Sequence, residues 1–103
     1  MTMRIIASTK LEDCFDGSVV YGYDFDEPWR RAAIEALGEL GDLQFFADFP
    51  RPLFKLTSPA GTFIKGVGGS TSCRVVFPRE NTALEKEKFE HFFTNFVSRA
   101  PPI

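Results

Sequence analysis

The sequence lacks any hydrophobic run approaching the roughly 20 residues that a transmembrane helix needs. The apolar stretch near the N-terminus is also too short for the core of a secretory signal. Internal repeats, low-complexity segments and linkers rich in proline and glycine are absent as well. Together with a length of 103 residues, these absences predict one globular domain over residues 1–103 that does not bind a membrane. We expect residues 99–103 to form a frayed tail.

Cysteine and histidine are scarce, which limits the metal sites and catalytic sites that the chain can form. The two cysteines, Cys14 and Cys73, form no Cys-x-x-Cys pair, and their spacing matches no common metal-ligand pattern. We therefore expect two reduced thiols, a cytoplasmic location, and neither a metal ion nor a cofactor. The single histidine, His91, is predicted to lie on the solvent side of a helix, where it would not serve as a general base.

The net charge of −2 conceals a separation of charges along the chain. Residues 51–79 contain five basic side chains and no acidic one, whereas residues 1–50 contain ten acidic and four basic side chains. This excess of acid disfavours nucleic acid as a partner, because sequence-independent DNA binding depends on a broad basic field. The basic segment is therefore the region where an anionic partner is expected to bind.

Phenylalanine dominates the aromatic residues, with twelve copies beside one tryptophan and two tyrosines. A Phe ring has no polar tip, so most of these rings are expected in a core or in a dry interface. A chain of this size buries about two thirds of its unfolded surface. Because twelve rings are many for one small core, the composition suggests a homodimer.

Alternating and periodic apolar positions predict an α+β fold with the element order ββαββββα. We expect a single antiparallel sheet of five to six strands with both helices on one face, because short turns separate the strands. The predicted strands cover residues 3–10, residues 18–25, Leu43–Phe49, Leu53–Thr57, Thr62–Val67 and Ser72–Phe77.

Both helices are predicted from their start signals and their apolar stripes. Asp26 is expected to cap the first helix, with Pro28 in its first turn. Thr82 and Glu85 are expected to form a capping box at the start of the second helix, which runs to about Ser98. The expected apolar stripes are Trp29, Ala33, Ala36, Leu37 and Leu40 in the first helix, and Phe89, Phe92, Phe93, Phe96 and Val97 in the second.

The turns between the last three strands predict how those strands pair. Residues 58–61 suit a type I turn with Gly61 in the left-handed region, and a two-residue turn is expected at Gly69 and Ser70. These turns place three cations in one row across the three strands: Lys55, Lys65 and Arg74. The opposite face is then the core face and carries Phe54, Leu56, Ile64, Cys73, Val75 and Phe77.

The row of Lys55, Lys65 and Arg74, called the basic row below, is unusual because like charges on paired strands repel each other. Either an acidic group neutralises it, or the register is wrong, since a four-residue loop at 58–61 would pair Lys65 with Phe54. The apolar side chains expected beside the row are Leu53, Phe63, Val67 and Val76. Such a patch suits an anionic ligand with an apolar body, an acidic protein surface, or the acidic N-terminal hairpin of the same or a second chain.

The glycine-rich segment 66–72 is a second candidate for anion binding. The backbone N–H groups of Gly68, Gly69 and Ser70 can converge on a phosphate. The segment is neither a Walker motif nor a dinucleotide fingerprint, because neither Gly-Lys-Ser/Thr nor a helix start follows it. A glycine-rich hairpin tip is the competing structural interpretation.

The sequence therefore favours a small, non-catalytic binding or interaction module, with a homodimer as its expected partner. The alternative is binding of an anionic small molecule at the basic row or at the glycine-rich segment. An enzyme is less favoured because no catalytic motif of useful specificity is present. A nucleic-acid-binding protein is less favoured because acidic residues dominate outside residues 51–79.

Overall fold

The computed structural model describes residues 3–48 and 50–99, with side chains up to residue 93. Its strands are β1 Ile5–Asp13, β2 Val19–Phe25, β3 Asp42–Phe46, β4 Leu53–Thr57, β5 Phe63–Val67 and β6 Ser72–Phe77. Helix α1 covers Arg31–Ala36 and continues into a 3₁₀ turn at Leu37–Glu39, and helix α2 covers Thr82–Arg99. All six strands form one antiparallel sheet in the spatial order β1-β2-β6-β5-β4-β3. The predicted α+β fold and the order ββαββββα are confirmed.

The predicted strands agree with the structure most closely in the second half of the chain. Strands β4 and β6 begin and end at the predicted residues, and β5 begins one residue later than predicted. Strand β1 runs past its predicted end to Asp13. Strand β3 ends at Phe46, and its predicted end at Phe49 lies outside the described residues. Of the predicted tail at 99–103, Arg99 is the last residue of α2, and residues 100–103 lie outside the described residues.

The first helix begins later than predicted, and Asp26 does not cap it. Asp26 instead binds the backbone just before β1: its Oδ1 accepts a hydrogen bond of 2.8 Å from the Arg4 N–H. Trp29 lies before the helix, since its N–H donates to the Ser70 carbonyl and its carbonyl accepts from the Gly69 N–H. The backbone of Trp29 is therefore held by the β5–β6 hairpin and does not join α1.

The predicted capping box at the start of α2 is wrong. The Thr82 hydroxyl shares its hydrogen between the carbonyls of Pro78 and Arg79, at 2.6 and 3.1 Å. Glu85 turns inward, where its Oε1 accepts a hydrogen bond of 2.9 Å from the Thr62 hydroxyl. Both partners are buried, so this bond joins the first turn of α2 to the residue that precedes β5.

One face of the sheet packs against both helices and forms the core. The predicted core-face residues are all buried: Phe54, Leu56, Ile64, Cys73, Val75 and Phe77. The helices contribute Ala33, Ile34, Leu37, Phe89, Phe92 and Phe93 to the same cluster. Phe96 and Val97, which were also predicted there, lie outside the described side chains. His91 is exposed, as predicted from its place opposite the Phe stripe.

The core does not bury every apolar side chain of the sheet. Phe15, in the turn between β1 and β2, is fully exposed, with a relative accessibility of 112%. Ile6 and Leu11, at 65% and 47%, are also exposed, and both lie on the edge strand β1.

No helix within residues 3–48 and 50–99 is long and apolar enough to span a bilayer.

The turn at 58–61 forms as predicted. Its Ser58 N–H donates to the Thr62 carbonyl at 2.9 Å, and Gly61 adopts a φ of +100°. The predicted two-residue turn at Gly69 and Ser70 is wrong, because the Ser70 N–H donates to the Val67 carbonyl and Gly68 and Gly69 are the central residues, with Gly69 at a φ of +88°. The predicted pairing of Lys65 with Arg74 nevertheless holds, and the Trp29 and Pro52 carbonyls also bind this turn.

Candidate binding site on the open sheet face

The sheet face opposite the core, called the open face below, carries the predicted basic row. Lys55 pairs with Lys65 between β4 and β5, and Lys65 pairs with Arg74 between β5 and β6. Phe54 pairs with Gly66, so the alternative register that would place Phe54 opposite Lys65 is wrong. Lys65 and Arg74 are exposed, and Lys55 is half-buried.

No acidic side chain within the described part of the chain forms an ion pair with the basic row. The ion pairs present there join Lys10 to Asp13, Arg31 to Glu35, Lys86 to Glu90 and Lys88 to Glu85. All four occur between residues close in sequence, on β1 or on a helix. The acidic N-terminal hairpin of the same chain therefore forms no ion pair with the row within the described residues, and the three cations repel one another.

A cavity of about 480 Å³ lies on the open face between the basic row and the β5–β6 turn. This volume falls within the range of small-molecule sites in proteins. Its charged and polar lining includes Thr9, Asp24, Lys65, Ser70, Ser72 and Arg74, and its apolar lining includes Leu11, Leu53 and Val67. Leu53 and Val67, which were predicted beside the row, line the cavity, whereas Phe63 and Val76, also predicted there, do not.

The wall formed by Leu11 was not predicted, because it depends on a β-bulge. The β1–β2 register shifts between Lys10 and Glu12, which leaves Leu11 as the extra residue. Leu11 folds over Gly22, where an added Cβ would lie 3.3 Å from Leu11 Cδ1. Gly22 in turn pairs with Arg74. A glycine inside a strand pattern is a known signal for close approach, and here it was the available clue.

The glycine-rich segment uses its backbone donors within the fold. The Gly68 N–H donates to the Pro52 carbonyl at 2.7 Å, the Gly69 N–H to the Trp29 carbonyl at 2.9 Å, and the Ser70 N–H to the Val67 carbonyl at 3.1 Å. These groups already have acceptors, which argues against a phosphate cradle built from them. Of the six predicted site residues, Lys65, Arg74 and Ser70 line the cavity, Lys55 continues the row beside it, and Gly68 and Gly69 do not line it.

The Ser70 side chain is turned toward Ser72. Ser70 Oγ accepts a hydrogen bond of 3.2 Å from the Ser72 N–H and lies 3.3 Å from Ser72 Oγ. The two hydroxyls therefore form a small polar cluster at the edge of the cavity. Each hydroxyl has one hydrogen and two lone pairs, so together they can still donate to an anion.

A second cavity, of about 200 Å³, lies between α2 and the sheet. Its walls are mainly apolar and include Leu56, Ile64 and Phe89. Its charged lining residues, Glu85 and Lys88, pair with each other at 3.3 Å. This cavity therefore offers an anion no uncompensated positive charge, unlike the cavity on the open face.

Two ionisable side chains of the core, Cys73 and Tyr23, are shifted toward their protonated forms. Burial raises the pKa of the Cys73 thiol well above its usual range, so this group stays protonated. Burial, with the hydrogen bond to Glu90, raises the pKa of the Tyr23 hydroxyl in the same way. Within residues 3–48 and 50–99, no three His, Cys, Asp or Glu side chains are grouped so that they could hold a metal ion.

Comparison of the chain with protein-family models, with curated proteins and with solved structures finds no match. The assignment of the candidate site therefore depends on the geometry of this chain alone.

Proposed function

We propose that this protein is a non-catalytic binding module whose open face receives a molecule with an anionic group and an apolar body. The observation that supports this function is the basic row, which has no acidic partner within the described residues. Lys65 and Arg74 would contact the anionic group, and Leu53, Val67 and Leu11 would contact the apolar body.

Binding at this site would stabilise the fold in two ways. An anion between the cations would relieve their mutual repulsion and accept charge-assisted hydrogen bonds. A ligand that binds only the folded state also raises stability by mass action. Both effects raise the melting temperature, so thermal unfolding is a direct readout of the proposed site.

The first experiment compares phosphate with chloride at matched ionic strength by thermal unfolding. Phosphate also stabilises proteins in general, because it is excluded from their surface. The Lys65→Gln variant removes the centre of the basic row, and Lys10→Gln removes a cation that is already paired with Asp13. We expect phosphate to raise the melting temperature of the wild type and of Lys10→Gln more than that of Lys65→Gln. An equal response in all three proteins would show that the row binds no anion.

Self-association is a second candidate function, with a second copy of this chain as the partner. Phe15 is fully exposed in the β1–β2 turn, and Ile6 and Leu11 are exposed on the same edge strand. Register shifts on either side of Ile6 and of Leu11 interrupt regular strand pairing, so contact through these side chains fits better than continuation of the sheet.

Sedimentation at roughly tens of micromolar protein, where weak interfaces are populated, tests this association. We expect a concentration-dependent dimer in moderate salt, and we expect Phe15→Ser to shift it toward monomer. A sharp monomer boundary for the wild type at every concentration would rule out this candidate.

The cysteines support a cytoplasmic location, which we propose together with the binding function. Both Cys14 and Cys73 are free, and Cys73 is buried. Thiols remain reduced in the cytosol, whereas oxidising compartments favour disulfides.

A further inference from the structure

The cavity on the open face contains an acidic group beside its cations. Asp24 lines this cavity together with Lys65 and Arg74. Between β2 and β6, Gly22 pairs with Arg74 and Asp24 pairs with Ser72, so Asp24 and Arg74 are diagonal neighbours on one face. Diagonal neighbours in a sheet are about 7–8 Å apart.

The Asp24 carboxylate has no ion pair or hydrogen bond within the described part of the chain. The same holds for Lys65 and Arg74, so the cavity contains charges of both signs on neighbouring strands, none of them in an ion pair within the described residues. A purely anionic ligand would be attracted by Lys65 and Arg74 and repelled by the Asp24 carboxylate. A purely cationic ligand would be attracted by Asp24 and repelled by the two cations. A ligand that carries both charges satisfies every one of these groups.

We propose, on the basis of the binding function above, that the cavity takes a small zwitterion. The acidic group of the ligand, a phosphate or a carboxylate, contacts Lys65 and Arg74, and its ammonium group contacts Asp24. The apolar walls at Leu53 and Val67 contact the carbon chain between the two charges. Asp24 thereby selects against simple anions, because an ammonium-free ligand leaves its carboxylate unpaired.

The test uses two probes of nearly equal size, phosphoethanolamine and ethyl phosphate, which differ by the ammonium group. Binding is measured by chemical-shift titration of the backbone amides at fixed pH near 7 and fixed ionic strength. We expect wild-type protein to bind phosphoethanolamine about two- to fivefold more tightly than ethyl phosphate, the range of one exposed ion pair. The shifted amides should include those of β2, β5 and β6.

Two acidic variants identify the group that supplies this preference. In Asp24→Asn the two probes should bind equally, because the partner of the ammonium is gone and the repulsion of ethyl phosphate is relieved. Asp42→Asn is the matched control, since Asp42 is exposed on the edge strand β3 and does not line the cavity. Asp42→Asn should keep the preference of the wild type. Asp24 is exposed, so its replacement leaves the core intact.

The outcomes separate this inference from the function on which it rests. Equal binding of both probes by the wild type, abolished in Lys65→Gln, overturns the zwitterion and leaves the anion site in place. A preference for phosphoethanolamine that persists in Asp24→Asn overturns the role of Asp24. Absence of binding for both probes overturns the zwitterion and the anion site together.

Discussion

The two faces of the sheet are formed by the same six strands, yet they differ in whether their side chains have interaction partners. On the core face, Tyr23, Phe54 and Phe77 are fully buried, and their aromatic neighbours pack at ring separations of 4.7 to 6.4 Å. Within the described residues, no buried side-chain nitrogen or oxygen lacks a hydrogen-bond partner. On the open face, Lys65 and Arg74 are adjacent and have no acidic partner there.

This difference indicates which face maintains the fold and which face is free to bind. Substitutions on the core face should cost stability, since they remove packing or leave a buried polar group unpaired. Substitutions of the basic row should cost none, because the row is unfavourable before a ligand arrives. The open face thus keeps an unfavourable arrangement of charges, while the side chains of the core face are packed and hydrogen-bonded. This combination is expected of a stable scaffold that carries a binding surface.

The largest effect is expected at the centre of the aromatic core. Phe93 is 3% exposed and contacts the rings of Phe25, Trp29, Phe89 and Phe92. Phe93→Ala should lower the free energy of unfolding by about 3–5 kcal/mol, which urea denaturation measures. Leu84 lies on the exposed side of the same helix, with a relative accessibility of 48%. Leu84→Ala should lower the free energy of unfolding by only about 0.5 kcal/mol, as is usual for surface substitutions. Similar losses in both variants would show that α2 does not pack through its Phe stripe.

A smaller effect is expected where α2 is joined to the sheet by a polar contact. Thr62→Val removes the hydroxyl that donates to Glu85, and it leaves a buried carboxylate oxygen unpaired. The free energy of unfolding should fall by about 1–3 kcal/mol. Thr57→Val makes the same change at an exposed position on the open face and should be close to neutral. If both variants unfold at the same urea concentration as the wild type, the inward turn of Glu85 contributes nothing to stability.

The pH dependence of stability tests the core face through the buried thiol of Cys73. Burial raises the pKa of Cys73 in the folded state, whereas the unfolded thiol ionises near pH 8.5. Above that pH the folded state binds more protons than the unfolded state, so stability falls as pH rises, by about 1 kcal/mol per pH unit. Denaturation between about pH 8 and 9 should show this slope, because an unfolded tyrosine such as Tyr23 ionises only near pH 10.

The Cys73→Ala variant identifies the source of that slope. It should flatten the dependence of the free energy of unfolding on pH, whatever its effect on stability at neutral pH. An unchanged slope in Cys73→Ala would mean that this thiol ionises normally in the folded protein.

The smallest effect is expected on the open face and has the opposite sign. Lys65→Gln removes the central cation of the basic row, so the free energy of unfolding should rise by about 0.2–1 kcal/mol at low ionic strength. Added sodium chloride should shrink this gain, because salt screens exposed charges. Lys10→Gln, which breaks the ion pair with Asp13, should not increase stability. A loss of stability in Lys65→Gln would indicate that the row is already compensated in the folded protein.

Predictions from the sequence succeeded where local chemistry decides the structure. The turn at 58–61 depends on the conformational freedom of Gly61 and on a short loop, and it determined which residues of β4 and β5 are paired. The basic row followed from that register, since side chains alternate between faces along each strand. Lys55 and Lys65 could thus be placed side by side without knowledge of the rest of the fold.

Predictions failed where a distant residue competes for a local partner. Asp26 has the chemistry of a helix cap, but the Arg4 N–H lies within reach and binds its carboxylate. Glu85 has the spacing of a capping box, but the buried Thr62 hydroxyl draws it inward. In each case a group far away in sequence satisfies the same hydrogen-bonding atoms, and local rules cannot rank such alternatives.

The cavity shows the same division between local and tertiary causes. By itself the sequence determined the fold class, the registers of β4, β5 and β6 and the row of three cations, because these follow from side-chain periodicity and short turns. Only the tertiary structure decided that Leu11 and Asp24 would join Lys65 and Arg74 around one cavity. The physical reason is that a bulge in β1 and the absence of a side chain at Gly22 bring Leu11 over the sheet, while the pairing of β2 with β6 brings Asp24 beside the row.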